Sequence, residues 1–155
     1  MAKQSLNTLV VALTAFMVPC WTPVSAHADG QRPCSNATLH GSYAFTESGT
    51  ILGIGPVAVA GVFHADGKGN LTVADTVSLN GEIIQENLNF TYQVNPDCTG
   101  TASSAPGQEP AHFSFVIINY GERVTGIHTD PGTTLILKAQ PQFGKNAGPE
   151  SDDPS

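Results

Sequence analysis

The chain has 155 residues, 6 Lys plus Arg against 13 Asp plus Glu, a formal net charge of −7 and only 12% charged residues. So few cations argue against nucleic acid as a partner, since phosphate neutralisation needs clustered Lys and Arg, and against an anionic membrane surface for the same reason. The length accommodates one domain with a useful core.

The N-terminus reads as a secretory signal peptide. Lys3 stands in a short polar segment, an apolar run covers 9–18, Pro19 and Pro23 follow, and Ala26-His27-Ala28 supplies a small-residue cleavage site. The apolar run is about half of the roughly 20 residues that a membrane-spanning helix needs, and prolines rather than a basic stop come after it. Cleavage after Ala28 is the expected processing, with an uncleaved anchor as the alternative. Cys20 follows the apolar run, where a lipid could be attached, but Pro19 is a poor neighbour for an acylated cysteine.

Loss of residues 1–28 removes Cys20 and leaves Cys34 and Cys98, which can pair in an oxidising compartment. A reactive thiol or a metal ligand is the competing reading, and neither cysteine has a C-x-x-C neighbour or closely spaced histidines to support it. The expected location is periplasmic or extracellular.

Beyond the leader no amphipathic helical window appears, because Gly and Pro punctuate the chain too often for a helix to propagate. Strands are predicted over 41–48, 57–64, 71–79, 83–94 (with a bend near Asn87), 99–104, 111–119, 123–129 and 133–140. Asp66-Gly67-Lys68-Gly69-Asn70 and Asn80-Gly81 are hairpin chemistry, since both supply residues that tolerate positive φ. The fold class is therefore all-β, an antiparallel up-and-down meander of 8–9 strands. A closed barrel is favoured over a two-sheet sandwich because closure removes both sheet edges and no long crossing connection is present. The barrel domain is expected over 29–140. Residues 141–155 are polar and aperiodic and read as a disordered acidic tail.

Alternation assigns the faces. Leu71, Val73, Val77 and Leu79 share one side of their strand, as do Leu88, Phe90, Tyr92 and Val94, then Phe113, Phe115 and Ile117, and finally Leu135 and Leu137.

The segments Gly41-Ser42-Tyr43-Ala44-Phe45, Gly61-Val62-Phe63 with Ala65-Asp66-Gly67-Lys68-Gly69-Asn70-Leu71, Asp75-Thr76-Val77-Ser78-Leu79-Asn80-Gly81 and Asp97-Cys98-Thr99-Gly100-Thr101 resemble a family of small secreted bacterial β-proteins of unassigned function. The layout is also similar to calycin-type barrels, including the allene oxide cyclase-like and lipocalin-like groups. Both resemblances imply a fold and no reaction.

Asp75 shares the parity of Leu71, Val73, Val77 and Leu79, which aims a carboxyl into an apolar interior. It would serve there as a general acid or base or as a polar anchor for a ligand; a β-bulge that turns it outward, or a side-chain bond to the backbone, is the ordinary alternative. Glu47 continues the Tyr43 and Phe45 face and His128 the Val124 face, so both can approach one end of the same interior. His40, His64 and His112 have no metal-ligand spacing, and no metal site is expected. The Asp66 turn fails as a calcium loop because Lys68 stands where an oxygen ligand is needed and Val77 occupies the twelfth position. No P-loop, dinucleotide fingerprint or G-x-S-x-G elbow is present, and no cofactor is expected.

The leading functional expectation is a binding module that takes a small apolar or aromatic molecule among Tyr43, Phe45, Phe90, Tyr92, Phe113 and Phe115. One alternative is a cyclase or isomerase with Asp75, Glu47 and His128 as its acid and base groups. Another is an envelope or extracellular interaction protein with a packed, inert interior.

Overall fold

The computed structural model describes residues 32–143. The expected leader, Cys20 and the tail from 144 onward lie outside the described residues. A 3-10 turn at Asn36–Thr38 precedes eight strands: β1 (His40–Ile51), β2 (Gly55–Asp66), β3 (Asn70–Leu79), β4 (Glu82–Val94), β5 (Thr99–Ser104), β6 (His112–Ile118), β7 (Arg123–His128) and β8 (Thr133–Pro141). Each strand pairs antiparallel with its sequence neighbour, and β1 pairs with β8, so the meander closes into a barrel.

Two differences from the expected strands have local causes. The predicted break over 49–56 shrinks to a turn because β1 and β2 stay paired from His40↔Asp66 to Ile51↔Gly55. Gly49 permits this: a Cβ there would overlap the Thr134 carbonyl of β8. β8 also runs through Pro141, and the Gln142 N–H donates to Ser42 O at 2.9 Å, so the first residues assigned to the tail belong to the barrel. Pro141 is tolerated at the strand end, where its missing N–H breaks no interior pairing. The strand over 82–94 is continuous through Asn87.

Because the strands alternate direction, the barrel has two distinct ends. The connections after β2, β4 and β6 lie at one end with the N-terminal segment, and those after β1, β3, β5 and β7 lie at the other.

The first end is closed. Cys34 is bonded to Cys98 with their Cα atoms 5.0 Å apart, and the Cys34 N–H donates to Pro96 O at 3.1 Å. Asn36 then accepts from the Val94 N–H through Oδ1 (2.8 Å) and donates through Nδ2 to Lys68 O (3.2 Å). The Tyr92 hydroxyl donates to Leu39 O at 2.8 Å and lies 3.0 Å from Asn36 O. These bonds hold Leu39, 2% exposed, in the core. Tyr43 stacks on Phe63 beside it (centroids 4.9 Å apart, planes 8° apart), and Phe45 lies 6.0 Å from Phe63. The turn after β2 is organised by Asp66, whose Oδ1 accepts from the N–H groups of Lys68, Gly69 and Asn70 while Oδ2 accepts from Asn70 Nδ2. The Asn70 side chain and those N–H groups hold the Asp66 carboxyl well below the usual range. That carboxylate is committed to a hairpin.

Candidate functional site

At the opposite end the interior stays open as a cavity of about 420 Å³. Its walls are the inward faces of the strands, with Val57, Val59, Val73, Val77, Leu135 and Leu137 as the bulk of the aliphatic surface and Leu39 among the lining groups. Beside this space β5 pairs only with Phe90–Val94 of β4. Below Phe90, β4 is paired with β3 alone, and the connection after β5 brings Glu109, Pro110 and Ala111 to the cavity wall. Gln108 Oε1 accepts from the Asn89 N–H (3.0 Å), and the Ala105 N–H donates to Asn89 O (2.8 Å), which ties that connection to β4. Around the open end Leu52 and Ile54 in the turn after β1 and Ile83 at the start of β4 are exposed at 83%, 48% and 64%, forming an apolar lip.

The aromatic residues divide. Phe45, Phe90, Phe113 and Phe115 line the cavity. Phe90 and Phe113 meet edge to face at 5.7 Å. Tyr43 and Tyr92 do not line it: they are buried toward the closed end, Tyr43 in the Phe63 stack and Tyr92 in the tether of the N-terminal segment. Burial pushes both phenols up from their ordinary value. Both were expected to contact a ligand; a tyrosine with an inward parity at the closed end meets packing rather than the open space of this cavity.

Asp75 lines the cavity together with Glu47, Glu86 and His128. No bulge intervenes: Asp75 sits in unbroken register between Gly61 of β2 and Glu86 of β4. The outward-turned alternative is therefore overturned, and so is the backbone-bonded one, since Asp75 Oδ1 is buried without a hydrogen-bond partner. Gly61 makes the room, because a Cβ at that position would overlap the Asp75 Cβ. Burial, then the charges of Glu86 and Glu47, push the Asp75 carboxyl up to about 6.

Glu47, 7% exposed, accepts a hydrogen bond from His128 Nε2 at 3.1 Å. The imidazole packs on Phe113 at 4.0 Å between centroids, and its Nδ1 faces Asp130 Oδ2 at 3.7 Å. Asp130 is itself held by His112, whose N–H donates to Oδ2 and whose Nδ1 donates to Oδ1, each at 2.7 Å. Burial opposes ionisation of Asp130, but the His112 bonds and the neighbouring imidazoles together keep its carboxyl below the usual range. The result is an ordered row from Glu47 through His128 and Asp130 to His112 along one side of the cavity. Asp75 stands among the lining groups without a partner.

Sequence reasoning did not single out Glu86, Glu109, Asp130 or Gly61. Glu86 carries the parity of Leu88 and Phe90, and the face argument applied to Asp75 reaches it too. Asp130 lies in a Asp-Pro-Gly turn whose approach to His112 and His128 depends on barrel closure, which has no local signal. His40 and His64 stand outside the cavity, with His64 Nδ1 3.3 Å from Ser42 Oγ. Among the described residues no grouping of three or more His, Cys, Asp or Glu side chains is arranged to hold a metal ion.

No family model, curated protein or solved structure matches the chain. The closed eight-strand meander is compatible with a calycin-like layout, and the resemblance to a secreted bacterial family rests on the sequence pattern alone. No helix among the described residues is long and apolar enough to cross a membrane. The Cys34–Cys98 disulfide fits an exported protein.

Proposed function

We propose that this protein binds one small, largely apolar molecule inside the barrel. The observation that carries the reading is the cavity itself, about 420 Å³, walled by Phe45, Phe90, Phe113, Phe115 and aliphatic groups and open at one end. That volume lies within the roughly 300–1,000 Å³ of small-molecule sites, and an apolar wall with a few convergent polar groups is their usual composition. The opposite end is tethered by the Cys34–Cys98 bond and the Tyr92 hydroxyl, so entry is from the end that carries Leu52, Ile54 and Ile83. The domain is exported through cleavage after Ala28 in this reading, and the mass of the mature protein from its host should correspond to a chain starting at Asp29.

The test is titration with a neutral fluorescent probe, N-phenyl-1-naphthylamine, against the wild type and Val73→Trp, which fills the cavity from β3. A saturable one-to-one enhancement, lost in Val73→Trp while the thermal transition stays cooperative, is expected. No enhancement, or one that survives the filled cavity, would rule the reading out.

A second reading has one observation in its favour, the Glu47 to His128 hydrogen bond close to a partnerless Asp75 carboxyl in the same cavity. Such a set could shuttle a proton on a bound molecule, as a cyclase or isomerase requires. Ligand recovered from the wild type and from Glu47→Gln would then differ as isomers of equal mass in chromatography. Identical species from both proteins would leave simple binding.

A further inference from the structure

Carboxyl groups dominate the polar lining of the cavity. Glu47, Asp75, Glu86, Glu109 and Asp130 line it together with His128 and Thr133, and among the described residues no Lys or Arg does. An anionic amphiphile entering this space meets carboxylates at close range in a medium of reduced dielectric, and the one imidazole there, His128, is already engaged by Glu47. The acids are also not equivalent. Glu47 accepts from His128 and Asp130 from His112, whereas Asp75 Oδ1 is buried and accepts from nothing. A buried acceptor without a partner is unfavourable, and turning the carboxyl toward a donor on the ligand would relieve it. The register of β3 and β4 sets Asp75 opposite Glu86, so two acids stand side by side on one wall.

Resting on the reading of the cavity as a ligand site, we propose that its ligand is a hydrophobic amine, with the apolar body against the phenylalanine wall and one protonated nitrogen donating to Asp75. An ammonium loses hydration on entry, and here it gains a preorganised carboxylate, a second one at Glu86 and aromatic faces that favour a cation. A neutral alcohol satisfies Asp75 as a donor but leaves the accumulated negative charge unbalanced. The groups that face Asp75 are Glu47 from β1, Glu86 from β4 and His128 from β7, with Glu109 and Asp130 in the connections after β5 and β7; β2 presents Gly61, which has no side chain. Because burial, then Glu86 and Glu47, raise the Asp75 carboxyl to about 6, its charged form is depleted at pH 5 and nearly complete at pH 8. Amine binding therefore strengthens across that interval.

The experiment uses the mature protein and two matched sets, 1-naphthylmethylamine, 1-naphthylmethanol and 1-naphthoate, and octylamine, octanol and octanoate, with affinities by calorimetry at pH 5 and pH 8. The expected order at pH 8 is amine over alcohol by at least about tenfold, carboxylate weakest, with the amine preference shrinking at pH 5. In Asp75→Asn the amine preference should fall to about threefold or less while the alcohol keeps its affinity. Equal binding by all three members would overturn the amine assignment and leave the apolar-ligand reading standing, whereas no binding by any of the six would overturn both. Tighter binding of the carboxylate would also overturn the assignment, and the wild-type series decides this even if Asp75→Asn folds poorly.

Discussion

Gly61 and Asp75 face each other across β2 and β3, and the absent side chain of the one is the space occupied by the other: a Cβ at Gly61 would overlap both the Asp75 Cβ and the Ala74 carbonyl oxygen. The glycine is therefore part of the cavity's chemistry, because it allows a carboxyl to stand inward in a tightly curved part of the wall. Gly100 and Gly126 play the same part for Phe115, whose ring or Cβ fills the positions their side chains would take.

Gly61→Ala should destabilise the protein by about 1–3 kcal/mol, the range for forcing extra volume into a packed interior. Since the overlap includes the Ala74 carbonyl and the Asp75 Cα as well as the Asp75 Cβ, Asp75→Gly in the same protein should recover only part of the loss. Urea unfolding of both variants checks this. An unchanged midpoint in Gly61→Ala would mean that the wall moves apart without cost.

Asp75 should make stability fall as pH rises. Its carboxyl titrates at about 6 in the folded protein and at about 4 unfolded, so between those values the folded chain holds the extra proton. The favourable contribution is complete below the unfolded value and is lost by the time pH passes the folded one. Discounted for partial access of solvent to the cavity, the loss is about 1–2 kcal/mol. Asp75→Asn removes this dependence, so its stability relative to the wild type should improve between pH 4 and pH 7.5. Parallel stability profiles for the two proteins over that interval would contradict the assignment.

The order of strands and the inward parity of Leu71, Val73, Phe90, Phe113 and Leu135 were legible because each rests on a local signal, turn chemistry or period-two alternation. Asp75 was legible as a residue out of place for the same reason. Whether it turned out through a bulge was not, because that depends on Gly61 standing opposite, a relation between strands. The division of the aromatics had no signal either. Tyr43 and Phe45 have the same parity on the same strand, and only the position of the Cys34–Cys98 tether determines which of them meets open space.

Glu47 depends on His128. Its carboxylate is 7% exposed, and the 3.1 Å bond from Nε2 spans 81 residues of sequence. His128→Phe leaves a buried carboxylate without its donor and should cost about 3 kcal/mol, while pairing it with Glu47→Leu should restore much of that, because an apolar replacement of both partners removes the uncompensated charge. Glu47→Gln has a second consequence. The charge on Glu47 contributes to the raised Asp75 carboxyl, so its removal should move the Asp75 titration to lower pH, visible in carboxyl carbon NMR. A titration that stays in place would show that burial and Glu86 suffice.

The closed end offers the last expectation. The Cys34–Cys98 bond spans 64 residues of sequence, for which loop-closure entropy gives about 4 kcal/mol, with about 2–4 kcal/mol as the usual measured loss. Tyr92→Phe removes one hydroxyl that donates to Leu39 O and should cost about 1 kcal/mol. Both tethers hold the segment that carries Leu39 into the cavity lining, so they should couple. Once Cys34→Ser and Cys98→Ser free the chain ahead of Leu39, that segment can leave the barrel without global unfolding, and the tyrosine bond is then missing from part of the native ensemble. Tyr92→Phe should therefore cost less in the serine background than in the wild type, and hydrogen exchange at Leu39 should quicken before that of β2 and β3. An equal cost of Tyr92→Phe in both backgrounds would show that the hydroxyl holds the segment in place without help from the disulfide.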